Sequence, residues 1–121
     1  MRLLVVDDDI DYGVFMVHLL DQLGHEAILA IDPWEAVELA REGIHAVITD
    51  IDMPRANGLR VARAIRRRAP HVPVAFCTGS PLDDEVTRRA RRLGPVIAKF
   101  GSLASLRELV TDLDLARAEK K

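Results

Sequence analysis

Residues 46–58 read AVITDIDMPRANG, and this stretch decides the fold. An apolar run ends at the carboxylate of Asp50, and Pro54 and Gly58 then interrupt the pattern. A run of this length is typical of a buried strand, and the proline and glycine predict a loop after it. Asp50 is therefore expected at the carboxyl end of a strand, where open α/β sheets bind their ligands. A plainer alternative is that Asp50 only begins an Asx-type turn.

The same alternation of short apolar runs and helical periodicity extends along the whole chain. Glycines and prolines end the predicted helices, and the fourth helix is predicted from a Ser80-Pro81 cap to Leu93. Strict alternation of five strand–helix units predicts a parallel sheet with helices on both faces. The predicted strands are 3–6, 27–31, 45–49, 72–77 and 95–98.

Polar side chains follow the strands of this predicted sheet. Right-handed crossovers place the carboxyl ends of all parallel strands on one edge. We therefore expect side chains that lie far apart in sequence to meet at that edge. They are Asp7 and Asp8 after strand one, Asp50 after strand three, Thr78 after strand four and Lys99 after strand five.

Composition limits the class of protein. The chain has 121 residues with 49% apolar content and a net charge of −2, and we expect one domain over residues 1–121 without an output domain. Cys77 is the single cysteine, which excludes an intramolecular disulfide and a cysteine-based zinc site. The sequence shows neither a signal peptide nor an apolar run of about 20 residues, so we expect a cytoplasmic protein that does not enter membranes.

The three carboxylates of Asp7, Asp8 and Asp50 would repel one another unless they are protonated or neutralised. Oxygen ligands of this kind suit Mg²⁺, with Mn²⁺ as the alternative ion. Such an ion attracts phosphoryl oxygens, and Lys99 and Thr78 could bind the same oxygens through a positive charge and a hydroxyl group. Asp50 would then be the nucleophile that forms an aspartyl phosphate.

These motifs closely resemble the receiver domain of bacterial two-component response regulators, over essentially the whole chain. The resemblance implies a flavodoxin-like (βα)5 fold with strand order 2-1-3-4-5. The motifs that carry it are Val5-Val6-Asp7-Asp8, Asp50-x-x-Met53-Pro54-x-x-x-Gly58, Thr78-Gly79 and Lys99.

The resemblance also implies a role for each residue. Asp50 would accept a phosphoryl group from the phosphohistidine of a sensor histidine kinase or a histidine phosphotransfer protein. Asp8 and Asp50 would bind the metal directly, Asp7 through water, and Asp52 through its backbone carbonyl. Thr78 and Lys99 would bind the phosphoryl oxygens. The domain would assist its own phosphorylation and dephosphorylation without being an enzyme in the ordinary sense.

Two positions depart from the family pattern. Members usually carry a proline after the lysine and an aromatic switch residue three positions before it, where this chain has Phe100 and Val96. The stretch 94–99 also looks about two residues shorter than usual. We expect the face of helix four, strand five and helix five to bind a downstream partner, with altered coupling through Thr78, Val96 and Phe100. The partner would be a downstream effector protein, with a homodimer formed on phosphorylation as the alternative.

Other functions remain as alternatives. Asp50-Ile51-Asp52 superficially matches the Asp-x-Asp motif of haloacid dehalogenase-type phosphatases, although that motif is expected after the first strand. A degenerate receiver that binds partners independently of phosphorylation is the other alternative. The arginine runs 66–68 and 88–92 could contact nucleic acid, but consecutive helical residues point in different directions, so we expect solvated faces and no direct nucleic-acid binding.

Overall fold

The computed structural model describes residues 1–41 and 43–119. Strands and helices alternate through these residues, as the sequence predicts. Strand bounds differ from the predicted ones by one or two residues, which brings Asp50 and Thr78 into the ends of their strands. The elements are β1 Arg2–Val6, α1 Ile10–Gln22, β2 Glu26–Ala30, α2 Pro33–Leu39, β3 Ala46–Asp50, α3 Gly58–Arg68, β4 Val74–Thr78, α4 Glu85–Arg91, β5 Val96–Ala98 and α5 Leu103–Glu119.

The five strands form one parallel sheet in the order β2-β1-β3-β4-β5, which confirms the predicted flavodoxin-like topology. The register pairs Val6 with Thr49, and Asp50 with Cys77, so the ends of β1, β3 and β4 lie side by side. Thr78 pairs with Ala98, which brings Lys99 to the same edge. This edge carries every residue that the sequence singles out for chemistry.

Successive side chains of each strand point to opposite faces of the sheet, and they form two separate cores, one on each face. On one face, Leu4, Val47 and Phe76 pack with residues of α2, α3 and α4. On the other face, Leu3 and Ile48 pack with residues of α1 and α5. Strands β3 and β4 are buried along their whole length, because helices cover them on both faces and strands flank them on both sides. The edge at which these strands end therefore rests on two strands that are buried throughout.

Side-chain caps start the helices that frame this edge. Asp9 caps α1 by accepting a hydrogen bond from the Tyr12 amide at 3.2 Å. Asp32 caps α2, which has Pro33 in its first turn, and accepts from the Trp34 amide at 2.9 Å. Each cap satisfies an amide that the first turn of a helix leaves without an intrahelical partner.

The predicted start of the fourth helix is wrong. Helix α4 begins at Glu85 under an Asp84 cap, which accepts from the Thr87 amide at 2.8 Å, and it ends at Arg91 rather than Leu93. Ser80 does not cap it because the Ser80 hydroxyl donates to Asp52 at 3.1 Å. The Pro81 carbonyl instead accepts from the Asp84 amide at 3.3 Å, which closes a turn before the helix.

Among the described residues, no helix has both the length and the apolar character needed to cross a membrane.

Candidate functional site

Asp50 is the centre of the site. It is the last residue of β3 and its side chain is almost completely buried, at 4% exposure. The Asp52 amide donates to Asp50 Oδ1 at 3.3 Å, which is an Asx-type contact of the kind that the sequence leaves open. Asp50 therefore does begin an Asx-type turn, which was the plainer alternative. Its other carboxylate oxygen, Oδ2, faces the neighbouring strand ends.

Three carboxylates converge at this point, as predicted. One ligand oxygen from each of Asp7, Asp8 and Asp50 lies within 4.8 Å of the other two. Asp7 is buried and its Oδ1 accepts from the Asp9 amide at 2.9 Å, whereas Asp8 is exposed at the mouth of the site. A hard divalent cation such as Mg²⁺ suits such a set of oxygen donors, because it can bind one or two carboxylates and keep several waters.

Lys99 closes the site from the end of β5. Its amide donates to the Thr78 carbonyl at 2.8 Å, which extends the strand pairing and directs the side chain along the edge. Lys99 Nζ lies 2.9 Å from Asp7 Oδ2 and 3.3 Å from Asp50 Oδ2. The structure therefore brings Lys99, Asp7 and Asp50 together, although they come from three different strands.

Burial and charge set the protonation of this group. Burial, and then the Asp7 carboxylate, raise the pKa of Asp50 to about 6, and Lys99 opposes that rise. Burial alone would lower the pKa of Lys99, but its hydrogen bond to Asp7 and the charge of Asp50 raise it overall. At neutral pH Lys99 is therefore a cation and Asp50 is mostly a carboxylate, which is the form that can act as a nucleophile.

Thr78 lies at the edge, but its hydroxyl is engaged away from Asp50. The Thr78 hydroxyl donates to Asp52 Oδ2 at 3.4 Å and accepts from the Ser80 amide at 3.0 Å. Asp52 Oδ2 also accepts from the Ser80 hydroxyl at 3.1 Å. The side chain of Asp52 therefore holds the loop after β4, a role that the sequence did not indicate because only its backbone carbonyl was expected to matter.

Gly58 fixes the loop that follows Asp50. A Cβ atom at this position would lie 2.4 Å from the Asp50 carbonyl oxygen and 2.9 Å from Ile51 Cα. The Gly58 amide donates to the Ile51 carbonyl at 2.8 Å, so the start of α3 packs directly on the end of β3. Glycine is required here because no side chain fits between the two backbones.

Val96 and Phe100, the two residues that depart from the family pattern, lie in different environments. Val96 pairs with Phe76 and packs against the core on the α2–α3–α4 face. Phe100 is 79% exposed, has a backbone φ of +58° and lies with its ring centroid 4.9 Å from that of Tyr12. The face of the Tyr12 ring lies 4.6 Å from Lys99 Nζ. The sequence gives no signal for this role of Tyr12, because Tyr12 recurs at helical spacing with Met16 and Leu19, a pattern typical of the apolar face of a helix.

Comparison with known proteins agrees with this geometry. Residues 3–111 match the family model of the response regulator receiver domain. The chain is 36% identical over 77 residues to the transcriptional regulatory protein YrkP of Bacillus subtilis, covering 64% of this chain and 33% of YrkP. It is 33% identical over 84 residues to CpxR of Escherichia coli, covering 68% of this chain and 36% of CpxR. The chain thus spans about a third of the length of these curated relatives.

Solved structures show the same fold. The response regulator TrrA of Thermotoga maritima, in complex with Mg²⁺ and BeF, has 27% identity and a TM-score of 0.80, over 93% of this chain and 97% of TrrA. The chemotaxis protein CheY4 of Vibrio cholerae has a TM-score of 0.81 at 23% identity, over 93% of this chain and 97% of CheY4. With the family model spanning nearly all of its residues, the chain belongs to the family of response regulator receiver domains of two-component systems.

Proposed function

We propose that the chain is a phosphorylation-controlled switch whose Asp50 accepts a phosphoryl group from a phosphohistidine. The donor is a sensor histidine kinase or a histidine phosphotransfer protein of a two-component system or phosphorelay. The observation that carries the proposal is the position of Lys99 Nζ between Asp7 and Asp50, within a cluster of three carboxylates. Such a cluster can bind a metal ion and a phosphoryl group side by side.

The transfer step follows from this arrangement. A carboxylate oxygen of Asp50 forms a P–O bond while the P–N bond to the donor imidazole breaks, and the imidazole leaves with the electron pair and takes up a proton. The hydrogen bond from the Asp52 amide orients the Asp50 carboxylate. Lys99 supplies a positive charge to the phosphoryl oxygens, because its ammonium group already lies 3.3 Å from Asp50 Oδ2.

The donor set fits Mg²⁺, with Mn²⁺ as the alternative ion, because all its side-chain ligands are oxygens within 4.8 Å of one another. Asp8 and Asp50 would bind the ion directly, Asp7 through water, and Asp52 through its backbone carbonyl. The ion would supply charge neutralisation for the phosphoryl oxygens. Asp7 would hold Lys99 and the metal-bound water at the same time.

The output is a change of partner binding at the face of α4, β5 and α5, with Thr78, Val96 and Phe100 as the coupling residues. Thr78 supports this role because its hydroxyl would have to leave Asp52 to reach a phosphoryl group on Asp50. A homodimer on phosphorylation would be one form of this output. The domain would act in the cytoplasm and would turn over only its own phosphoryl group.

A small phosphodonor tests the phosphoacceptor directly. The protein is incubated with acetyl phosphate and Mg²⁺, and intact-mass spectrometry is used to detect one acid-stable, base-labile phosphate. We expect the adduct in the wild type and in Asp11→Asn, which removes an exposed carboxylate in the first turn of α1. Asp50→Asn should abolish it, and an undiminished adduct on Asp50→Asn would refute the proposal.

The second candidate is an interaction module that works independently of phosphorylation. Val96 in place of an aromatic residue and the engagement of the Thr78 hydroxyl by Asp52 favour it. The two candidates differ in one measurement, the affinity for the partner before and after phosphorylation of Asp50. Equal affinities would favour the second candidate. The phosphatase alternative loses its support, because the chain belongs to the receiver family and Asp50 ends the third strand rather than the first.

A further inference from the structure

Tyr12 lies between the functional edge and the surface. Its side chain is 6% exposed in the first turn of α1. One face of its ring lies 4.6 Å from Lys99 Nζ, and its centroid lies 4.9 Å from that of Phe100 at an interplanar angle of 73°. A cation is attracted to the face of an aromatic ring, and two rings at this angle form a favourable edge-to-face pair. Tyr12 thus contacts two consecutive residues by two different interactions.

Phe100 adopts a backbone conformation that residues with bulky side chains rarely adopt. Its φ of +58° lies in the left-handed region, which is strained for a bulky residue and persists only where surrounding contacts hold it. Phe100 is 79% exposed, and its ring packs edge-to-face on that of Tyr12. A change in the position of Tyr12 or Lys99 would therefore allow Phe100 to leave this conformation.

Phosphorylation of Asp50 would change the partners of Lys99. In the unmodified protein its ammonium group pairs with Asp7 and Asp50 carboxylate oxygens. In the acyl phosphate the negative charge of residue 50 moves outward to the phosphoryl oxygens, and the ammonium group follows it. The attraction requires the cation to lie over the ring face, so Tyr12 holds Lys99 in place before the reaction, and a movement of Lys99 toward the phosphoryl oxygens changes this contact.

We propose that Tyr12 is a positioning residue for Lys99, and that its ring links the movement of Lys99 on phosphorylation to the exposed ring of Phe100. The second half of this proposal rests on the proposed function of Asp50. The link supplies a connection from the site to the surface that does not pass through Val96. It requires the aromatic ring of Tyr12, whose hydroxyl group also interacts with the backbone of Phe100.

Two further observations support the link. Burial raises the pKa of Tyr12 to about 12, so the phenol stays neutral at ordinary pH and its ring remains a partner for the cation. Tyr12 and Phe100 also line a groove of about 200 Å³ beside Phe15 and Leu103. Movement of the Phe100 ring would therefore change the shape of a surface that is accessible from outside.

The test compares variants that keep or remove the ring. Tyr12→Phe keeps it, and Tyr12→Leu and Tyr12→Met remove it while preserving an apolar side chain. Phe15→Leu is the matched control, because Phe15 lies on the same helix with its ring 6.1 Å from that of Tyr12 and is not among the contacts of Lys99 that the structure describes. Labelling with 4-fluorophenylalanine reports on the three phenylalanines, and Phe100→Leu assigns the Phe100 signal.

In the unmodified protein, the Lys99 ε-methylene protons should show a ring-current shift that Tyr12→Phe and Phe15→Leu retain and that Tyr12→Leu and Tyr12→Met lose. With acetyl phosphate and Mg²⁺, the wild-type Phe100 fluorine signal should move, and it should stay fixed in the two ringless variants. Their phosphorylation should also slow by about fivefold, the size of effect expected from the loss of one cation–π contact.

The positioning role is overturned if the Lys99 ring-current shift survives in a folded ringless variant. The link to Phe100 is overturned if the Phe100 signal still moves in that variant on phosphorylation. If the wild type takes no phosphoryl group, then the proposed function of Asp50 and the link fail together. The Lys99 measurement still decides the positioning role in that case, because it uses the unmodified protein.

Discussion

Asp7 Oδ2 lies 2.9 Å from Lys99 Nζ, so an anionic oxygen expected to bind a hydrated metal ion already has a cationic partner. Asp50 Oδ2 shares the same ammonium group at 3.3 Å. The lysine therefore neutralises part of the carboxylate cluster in the absence of metal. A divalent ion that entered the site would have to approach this positive charge, so the affinity for Mg²⁺ would reflect a balance between the two cations.

Removal of the lysine charge should therefore strengthen Mg²⁺ binding. We expect Lys99→Met to lower the dissociation constant for Mg²⁺ roughly tenfold, since a like charge a few ångströms from a cation costs on the order of 1 kcal/mol or more in a partly screened site. Isothermal titration calorimetry at constant ionic strength measures the effect. Lys99→Arg keeps the charge and serves as the control. Weaker Mg²⁺ binding by Lys99→Met would show that the lysine orders the carboxylates more than it repels the ion.

The pKa of Asp50 predicts how stability depends on pH without metal. Its value of about 6 in the folded protein lies above the ordinary value of 3.8, so the folded state holds this proton more tightly. The resulting contribution to stability is fully present below about pH 4 and is lost as the pH rises through 6. Asp50→Asn removes the titrating group, so it should be more stable than the wild type at pH 7, on the order of 1–3 kcal/mol.

Urea unfolding in the presence of a chelator, from pH 4 to pH 8, measures this difference in the free energy of unfolding. The advantage of Asp50→Asn over the wild type should grow between pH 4 and pH 7. Asp84 provides a comparison of opposite sign, because its hydrogen bond from the Thr87 amide lowers its pKa. An advantage of Asp50→Asn that is constant across the pH range would contradict the raised pKa.

The sequence predicted the fold and the centre of the site for the same reason. Apolar runs that end in Asp50 and Thr78 mark strand ends, and parallel topology alone brings strand ends to one edge. This rule does not depend on side-chain conformations, which is why Asp7, Asp50 and Lys99 are found together as expected.

Side-chain contacts between loops could not be predicted in this way. Ser80 followed by Pro81 satisfies the local rule for a helix cap, but the Ser80 hydroxyl bonds to Asp52, 28 positions earlier. Tyr12 fits the apolar periodicity of α1, yet its ring contacts Lys99 and Phe100 across the molecule. In both cases a contact between distant segments decides the role, and local pattern carries no information about it.

The carboxylate of Asp52 gives a test of the expected metal ligands. If Asp52 contributes only its backbone carbonyl, Asp52→Ala should leave the Mg²⁺ dissociation constant within about threefold of the wild type, because its carboxylate already accepts hydrogen bonds from Ser80 and Thr78. Asp8→Asn removes a direct carboxylate ligand and should weaken binding at least about tenfold. Calorimetric titration of both variants is the measurement. Equal loss in the two would mean that the Asp52 side chain binds the ion.

Gly58 and Gly79 both belong to the motifs of the family, but only Gly58 is confined by backbone. A Cβ on Gly58 would lie 2.4 Å from the Asp50 carbonyl oxygen, whereas the nearest atom to a Cβ on Gly79 is Lys99 Cδ at 4.0 Å. We expect Gly58→Ala to destabilise the protein by about 1–3 kcal/mol, the usual cost of overpacking, and to slow phosphorylation because α3 must shift the end of β3. Gly79→Ala should stay within about 0.5 kcal/mol of the wild type.

Urea unfolding of the two alanine variants measures these free energies, and acetyl phosphate labelling measures the rate at Asp50. The informative result is the pairing of the two effects. If the backbone at Gly58 is rigid, the added methyl group must displace Asp50. Loss of stability and loss of phosphorylation rate should therefore occur together in Gly58→Ala. A stable Gly58→Ala with a normal rate would mean that the loop before α3 relaxes independently of β3, and that the motif glycine is not required by the close approach to Asp50.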